Sequence, residues 1–207
     1  MVYPTEEPQD TQDLVQRAQQ GDQMALAVLY ETYFERIYRY SLARLGNMAE
    51  AEDITEEVFL RMLRSIASFQ WKAHGFEAWL FRIAHNLVID HLRRQISHKT
   101  YRSLITGSFV DDSLEDDLNG KWNQEELGQA IEQLTPAQRD VVTLRFAGGL
   151  SLAETAAILD KQVGNVKVLQ HNALISLRKV LTSMQSHPEG KPWTRKRTSL
   201  NSALTGS

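Results

Sequence analysis

The chain has 207 residues, 42% of them apolar, with 23 Lys and Arg against 26 Asp and Glu. That length allows one or two small domains with packed cores, and the absence of cysteine excludes disulfides, zinc ribbons and thiol catalysis. A net charge of −3 argues against a free-standing, tight DNA binder.

The start, MVYPTEEPQD, lacks the basic residues and apolar core of a signal peptide. No apolar run approaches the roughly 18 residues of a membrane span, so the chain is read as soluble and cytoplasmic. Residues 1–10 are expected to be a flexible arm. A short helix is expected over residues 11–20, with Leu14, Val15 and Ala18 on one side. Gly21-Asp22 breaks it, Asp22 caps the next helix, and that helix runs to Leu45 and stops at Gly46. Its aromatics Tyr30, Tyr33, Phe34, Tyr38 and Tyr40 read as core and boundary residues.

Asn47-x-x-Glu50 is a variant capping box and opens a third helix. Ile54, Val58, Met62 and Ile66 form its buried line, flanked by Phe59, Leu63 and Phe69. The opposite face gathers Glu50, Glu52, Asp53, Glu56 and Glu57. Two readings fit: a solvated face favoured by the helix dipole, or a docking patch for a basic partner. No histidine lies in this segment, so a metal site is poorly supported.

The loop SFQWKAHG carries Phe69, Trp71 and Lys72, the aromatic-plus-cation combination that suits single-stranded nucleic acid. It leads into GFEAWLFRIAHNLVIDHLRR, an amphipathic helix over residues 75–94. Phe76, Leu80, Ile83, Ala84, Leu87, Val88 and His91 form its apolar stripe. Arg82, His85, Asn86, Ile89 and Arg93 form a second face without acids, and Asn and Arg pair bidentately with base edges. The plain alternative is a core helix with a solvated back. Trp79 reads as core.

Periodicity fails over residues 95–126, where VDDSLEDDLNG is acidic; residues 99–126 are read as an acidic linker. Residues 127–182 form a second helical unit. Thr135-Pro136-Ala137-Gln138 caps a helix ending at Gly148-Gly149, and Ser151 to Glu154 is a full capping box for the short helix LAETAAIL. After the turn Asp160-Lys161-Gln162 a longer helix begins at Val163. A short capped helix, a tight turn and a longer helix make a helix-turn-helix pattern. Asn165, Lys167, Val168, His171 and Asn172 project from the N-terminal half of the second helix, the half that meets major-groove edges. Residues 183–207 form a basic tail, expected to be flexible. The fold class is all-α: two small helical domains joined by an acidic linker, the second a helix-turn-helix.

These segments, in this order, resemble bacterial sigma factors of the extracytoplasmic-function group. The resemblance rests on AEAEDITEEVFLRMLRSIASF, on FEAWLFRIAHNLVIDHLRR, on LTPAQR and on the capped helix-turn-helix, and it covers residues 11–98 and 127–182. It implies no cofactor and two partners, core RNA polymerase and promoter DNA. By that resemblance Glu52, Asp53, Glu56 and Glu57 dock on the polymerase. Phe69, Trp71, Lys72, Arg82, His85, Asn86 and Arg93 belong to the part that captures an unstacked −10 base. Asn165, Lys167, Val168, His171 and Asn172 correspond to the −35 reading positions. An anti-sigma protein that holds both domains is a further expected partner. The chain departs from the pattern at Asp160, where Gly is usual, at Gln162, where a Ser cap is usual, and at Asn172, where a basic residue is frequent. Two other readings remain: a stand-alone helix-turn-helix regulator, and an enzyme built around His85, Asp90, His91 and the acidic cluster. The two histidines lie six apart on different helix faces, which disfavours a shared metal.

Overall fold

In a computed structural model, residues 8–71, 74–106 and 124–185 are described, and all their regular elements are helical. The capping patterns open the helices expected of them. Asp22 Oδ1 accepts from the amides of Met24 and Ala25 (2.9 and 3.2 Å) and starts α2 (Gln23–Leu45). Gly46 ends it in the left-handed region, φ 68°. Asn47 accepts from the Glu50 amide at 3.0 Å and starts α3 (Met48–Ser65). Reciprocal capping boxes, Thr135 with Gln138 and Ser151 with Glu154, start α6 (Pro136–Val142) and α7 (Leu152–Ile158). α8 spans Val163–Gln185.

Several boundaries differ from the sequence reading. α1 spans Pro8–Gln19, so residues 8–10 belong to the helix and not to the arm; residues 1–7 lie outside the described residues. α4 spans Gly75–Thr106 and runs through residues 95–106, where the periodicity had failed. Losing the apolar stripe is not a stop signal: the first glycine or proline after Arg94 is Gly107. Gln95 also ties this stretch down, donating to Glu50 Oε1 at 2.7 Å. α5 (Gln124–Glu132) begins within the stretch assigned to the linker, of which residues 107–123 lie outside the described residues. The helix expected to reach Gly148 leaves α geometry early. Thr143–Ala147 form a π turn, closed by the Gly148 amide donating to the Thr143 carbonyl at 2.9 Å.

α1 to α4 form one bundle, and α5 to α8 a second unit in which α5, α6 and α7 pack on α8. The first core is built on Leu29, Ile37, Tyr40, Val58, Met62, Phe76, Leu80 and Phe81. The second gathers Ala130, Ile131, Leu134, Val142, Ala173 and Leu177. Leu144, Leu150 and Ile158 of the second unit join the first core, so the two units are packed against each other. Leu63 does not flank the buried line as expected; it is 49% exposed, because α3 turns that side away from α2 and α4.

The α7–α8 turn explains one departure from the family pattern. Asp160 sits at φ 53° while the Lys161 amide closes back on the Ala156 carbonyl at 2.9 Å. This backbone costs an L-residue about 1–2 kcal/mol, less for Asp than for most. Asp160→Gly should therefore stabilise the chain by about 0.5 kcal/mol once glycine's larger entropy loss is deducted. A urea midpoint that falls in this variant would show that Asp160 contributes more than its backbone shape.

Candidate nucleic-acid interface and docking face

The loop between α3 and α4 is held from below. Gln19 Nε2 donates to the carbonyls of Ile66 (3.1 Å) and Phe69 (2.7 Å), fixing where the chain leaves the 3₁₀ turn Ile66–Ser68. Phe69 packs edge-on against Trp71 and Phe76, with centroids 5.8 and 5.6 Å away, and lies 5.0 Å from Trp79. It is half-buried and serves as the wedge of the loop, while Trp71 remains 43% exposed. Lys72 lies outside the described residues.

Trp79 is not simply core. It lines a cleft of about 330 Å³ together with Arg61, Arg64, Ser65, Ile83 and Asn86. Asn86 is exposed, so its amide is free to pair with a base edge, with an indole and two guanidinium groups beside it. Arg61 and Arg64 escaped the sequence reading; their signal was a pair of bases on α3 just ahead of the aromatic loop. Arg93 is exposed farther along α4, 3.7 Å from Asp90.

Arg82 and His85 point elsewhere. Arg82 Nη2 donates to the Ala157 carbonyl of α7. His85 Nδ1 lies 3.0 Å from the hydroxyl of the fully buried Tyr40. Burial lowers the affinity of His85 for a proton; nearby Asp140 opposes this, while Arg44 and Arg82 add to it. Burial also raises the Tyr40 phenol, which stays protonated. The unfolded chain takes up a proton on His85 below its ordinary value of 6.5, where the folded chain still resists it. Stability linked to His85 is thus present above that value and lost as pH falls through it. Melting curves from pH 7.5 to 5.5 should show this loss, and His85→Gln should flatten it. An unchanged slope in the variant would exclude His85 as the source.

On α3, Glu52, Asp53 and Glu56 are exposed, and Glu57 is held by Arg61 at 2.8 Å. Glu50 leaves this face: its carboxylate meets His91 Nε2 at 3.1 Å and Gln95. The acidic residues are followed on the same helix by Leu60 and Leu63, 45% and 49% exposed. In the second unit, Val166 is buried while Asn165, Lys167, Val168, His171 and Asn172 are all exposed on α8. Among the described residues no group of three His, Asp or Glu is placed to hold a metal, and no helix is long and apolar enough to cross a membrane.

An all-α chain with a cationic, aromatic cleft beside an acidic helix face, joined to a helix-turn-helix with a free second helix, defines a two-unit protein of the DNA-reading class. Residues 29–97 match Sigma-70 region 2 and residues 124–177 match Sigma-70 region 4. The chain is 41% identical to the ECF RNA polymerase sigma factor BldN of Streptomyces coelicolor, over 82% of this chain and 65% of that protein. It is 33% identical to the ECF RNA polymerase sigma factor SigW of Bacillus subtilis, over 82% of this chain and 96% of that protein. The chain belongs to the extracytoplasmic-function sigma factors of RNA polymerase. Its fold is shared with CnrH in complex with the cytosolic domain of CnrY (TM-score 0.61, 20% identity, 82% of this chain and 96% of that one). It is also shared with RpoE from Bartonella quintana in complex with the anti-sigma factor NepR (TM-score 0.63, 20% identity, 75% and 96%).

Proposed function

We propose that this chain binds core RNA polymerase in the cytoplasm and directs promoter-specific initiation, as a binding factor and not an enzyme. Its first unit reads the −10 element as single strand, and its second reads the −35 element as duplex. The observation that carries this reading is the cleft that joins Asn86 to Trp79, Arg61 and Arg64. Extruding a base costs a few kcal/mol. Stacking on an aromatic side chain recovers about 1–3 kcal/mol, and edge hydrogen bonds from Asn86 add selectivity. Trp71, exposed on the loop and edge-on to Phe69, supplies a second stacking surface.

The polymerase-binding surface comprises Glu52, Asp53, Glu56 and Glu57, extended by Leu60 and Leu63. An acidic patch running into exposed leucines supports a partner that is basic at one end and apolar at the other. On α8, Asn165, Lys167, Val168, His171 and Asn172 read the major groove. The matched regions, residues 29–97 and 124–177, fall one in each helical unit, which supports a division of labour between the two units. RpoE from Bartonella quintana forms a complex with the anti-sigma factor NepR, and a protein of that kind is a candidate regulator of this chain.

Holoenzyme assembled with Asn86→Ala should lose about 10- to 100-fold in affinity for single-stranded −10 DNA, the equivalent of one bidentate base contact. Binding to core should stay unchanged. Unaltered capture of the strand by this variant would move the −10 site away from the cleft.

A further inference from the structure

We propose that Gln19, the last residue of α1, is a positioning residue for single-strand capture: it fixes Phe69 and, through that ring, sets Trp71 and Trp79 as two stacking surfaces at one spacing. The inference rests on the function proposed above. It extends promoter reading to α1, which precedes the segment matched to Sigma-70 region 2, residues 29–97.

Gln19 is itself held in place. Val15 and Ala18 bury one side of α1 in the first core. Gly21, at φ 86°, turns the chain just after the helix, and Arg17 Nε donates to Asp22, the cap of α2, at 2.8 Å. A carboxamide nitrogen carries two N–H groups, and backbone carbonyls only accept, so the nitrogen of Gln19 faces the loop. Its bonds to the carbonyls of Ile66 and Phe69, at 3.1 and 2.7 Å, use both groups. The Phe69 amide donates in turn to the Ile66 carbonyl at 3.0 Å. The backbone of Phe69 is therefore tied on both sides, and the tie on its carbonyl comes from α1.

The Phe69 ring joins the two indoles, with centroids 5.8 Å from Trp71 and 5.0 Å from Trp79. Trp71 is exposed, and Trp79 lines the cleft with Asn86. A strand with one base in the cleft and another on Trp71 needs both indoles at a fixed separation. Ordering them only at binding costs affinity, and order set beforehand avoids that cost. Gln19 does not line the cleft, so it acts through Phe69 and not on the strand. Phe69 and Gln19 are both half-buried, so water can take the place of the lost donor. Removing Gln19 should loosen this segment and leave the bundle folded.

Gln19→Met keeps the length of the side chain and removes both donors. Gln19→Glu keeps its shape and sets an anion against the two carbonyls. Holoenzyme assembled with each variant is titrated with a fluorescent single strand that carries the −10 segment of a promoter the unaltered holoenzyme transcribes. Both variants should lose about tenfold in affinity, the equivalent of one stacked base, with core binding and melting temperature unchanged. Trp71→Ala should lose a similar amount, and adding Gln19→Met to it should cost no more than about twofold further, because the two residues act on one contact. Fluorotryptophan in the free chain gives a second readout. The fluorine resonances of Trp71 and Trp79, assigned with Trp71→Phe and Trp79→Phe, should move in both Gln19 variants. Full strand affinity in both variants would overturn the proposal, as would a tenfold loss repeated in full on the Trp71→Ala background. If core with the unaltered chain transcribes no promoter or holds no strand, the proposed function fails. Unmoved fluorine resonances would then overturn the positioning as well, whereas moved ones would uphold Gln19 as the residue that sets the loop.

Discussion

Glu56→Lys should reduce the affinity of the chain for core RNA polymerase at least 100-fold without altering its fold. Glu56 is exposed on α3, between Asp53 and Leu60, at the centre of the proposed docking surface. Like charges brought together across an interface cost several kcal/mol, and 2.7 kcal/mol already corresponds to 100-fold. An exposed substitution away from caps and cores changes stability by about 0.5 kcal/mol or less, so the variant should melt with the parent chain. Leu60→Ser, at the apolar half of the face, should also weaken binding, with a smaller dependence on salt. Titration of labelled chain with core polymerase at two salt concentrations measures both. Full affinity in Glu56→Lys would place the docking surface elsewhere.

Phe81→Ala should destabilise the first unit by about 3–5 kcal/mol, the range for deleting a buried aromatic ring. Phe81 is fully buried, lies 6.0 Å edge-on from Tyr40, and sits under the Arg36 guanidinium at 5.4 Å. It also forms the surface against which Gly148 rests. Its loss therefore removes core packing and the seat of the second unit together. Urea unfolding should show a large fall in stability for this variant, beside a change near zero for Asn86→Ala, five residues farther along α4 but exposed to solvent. A cost below about 1 kcal/mol would mean that the site collapses around the missing ring.

The parts of the fold that were legible in the sequence are those set by neighbours in the chain. Asp22, Asn47, Thr135 and Ser151 cap helices because their side chains reach amides two or three residues on, and such patterns survive in a string of letters. Asp160 shows the same logic in reverse: the turn needs a left-handed residue, and Asp accepts it where the family pattern places Gly. What was not legible depends on contacts between distant segments. Arg82, His85 and Asn86 share one face at helical spacing, yet the structure divides them. Asn86 faces the α3–α4 cleft, Arg82 reaches Ala157, and His85 meets Tyr40. Periodicity assigns a face but not its occupant. Arg61 and Arg64 join the cleft only because α3 and α4 pack side by side, and Trp79 lines it for the same reason. The docking of Leu144 and Leu150 on the first core likewise has no local signature.

Run-off transcription with bacterial core polymerase, with and without this chain, over a pool of promoter fragments tests the central claim most directly. The account predicts discrete transcripts that require the chain, start downstream of paired −10 and −35 elements, and disappear with Glu56→Lys. Absence of such transcripts, together with tight binding of a palindromic duplex by the chain alone, would contradict it and identify a stand-alone regulator.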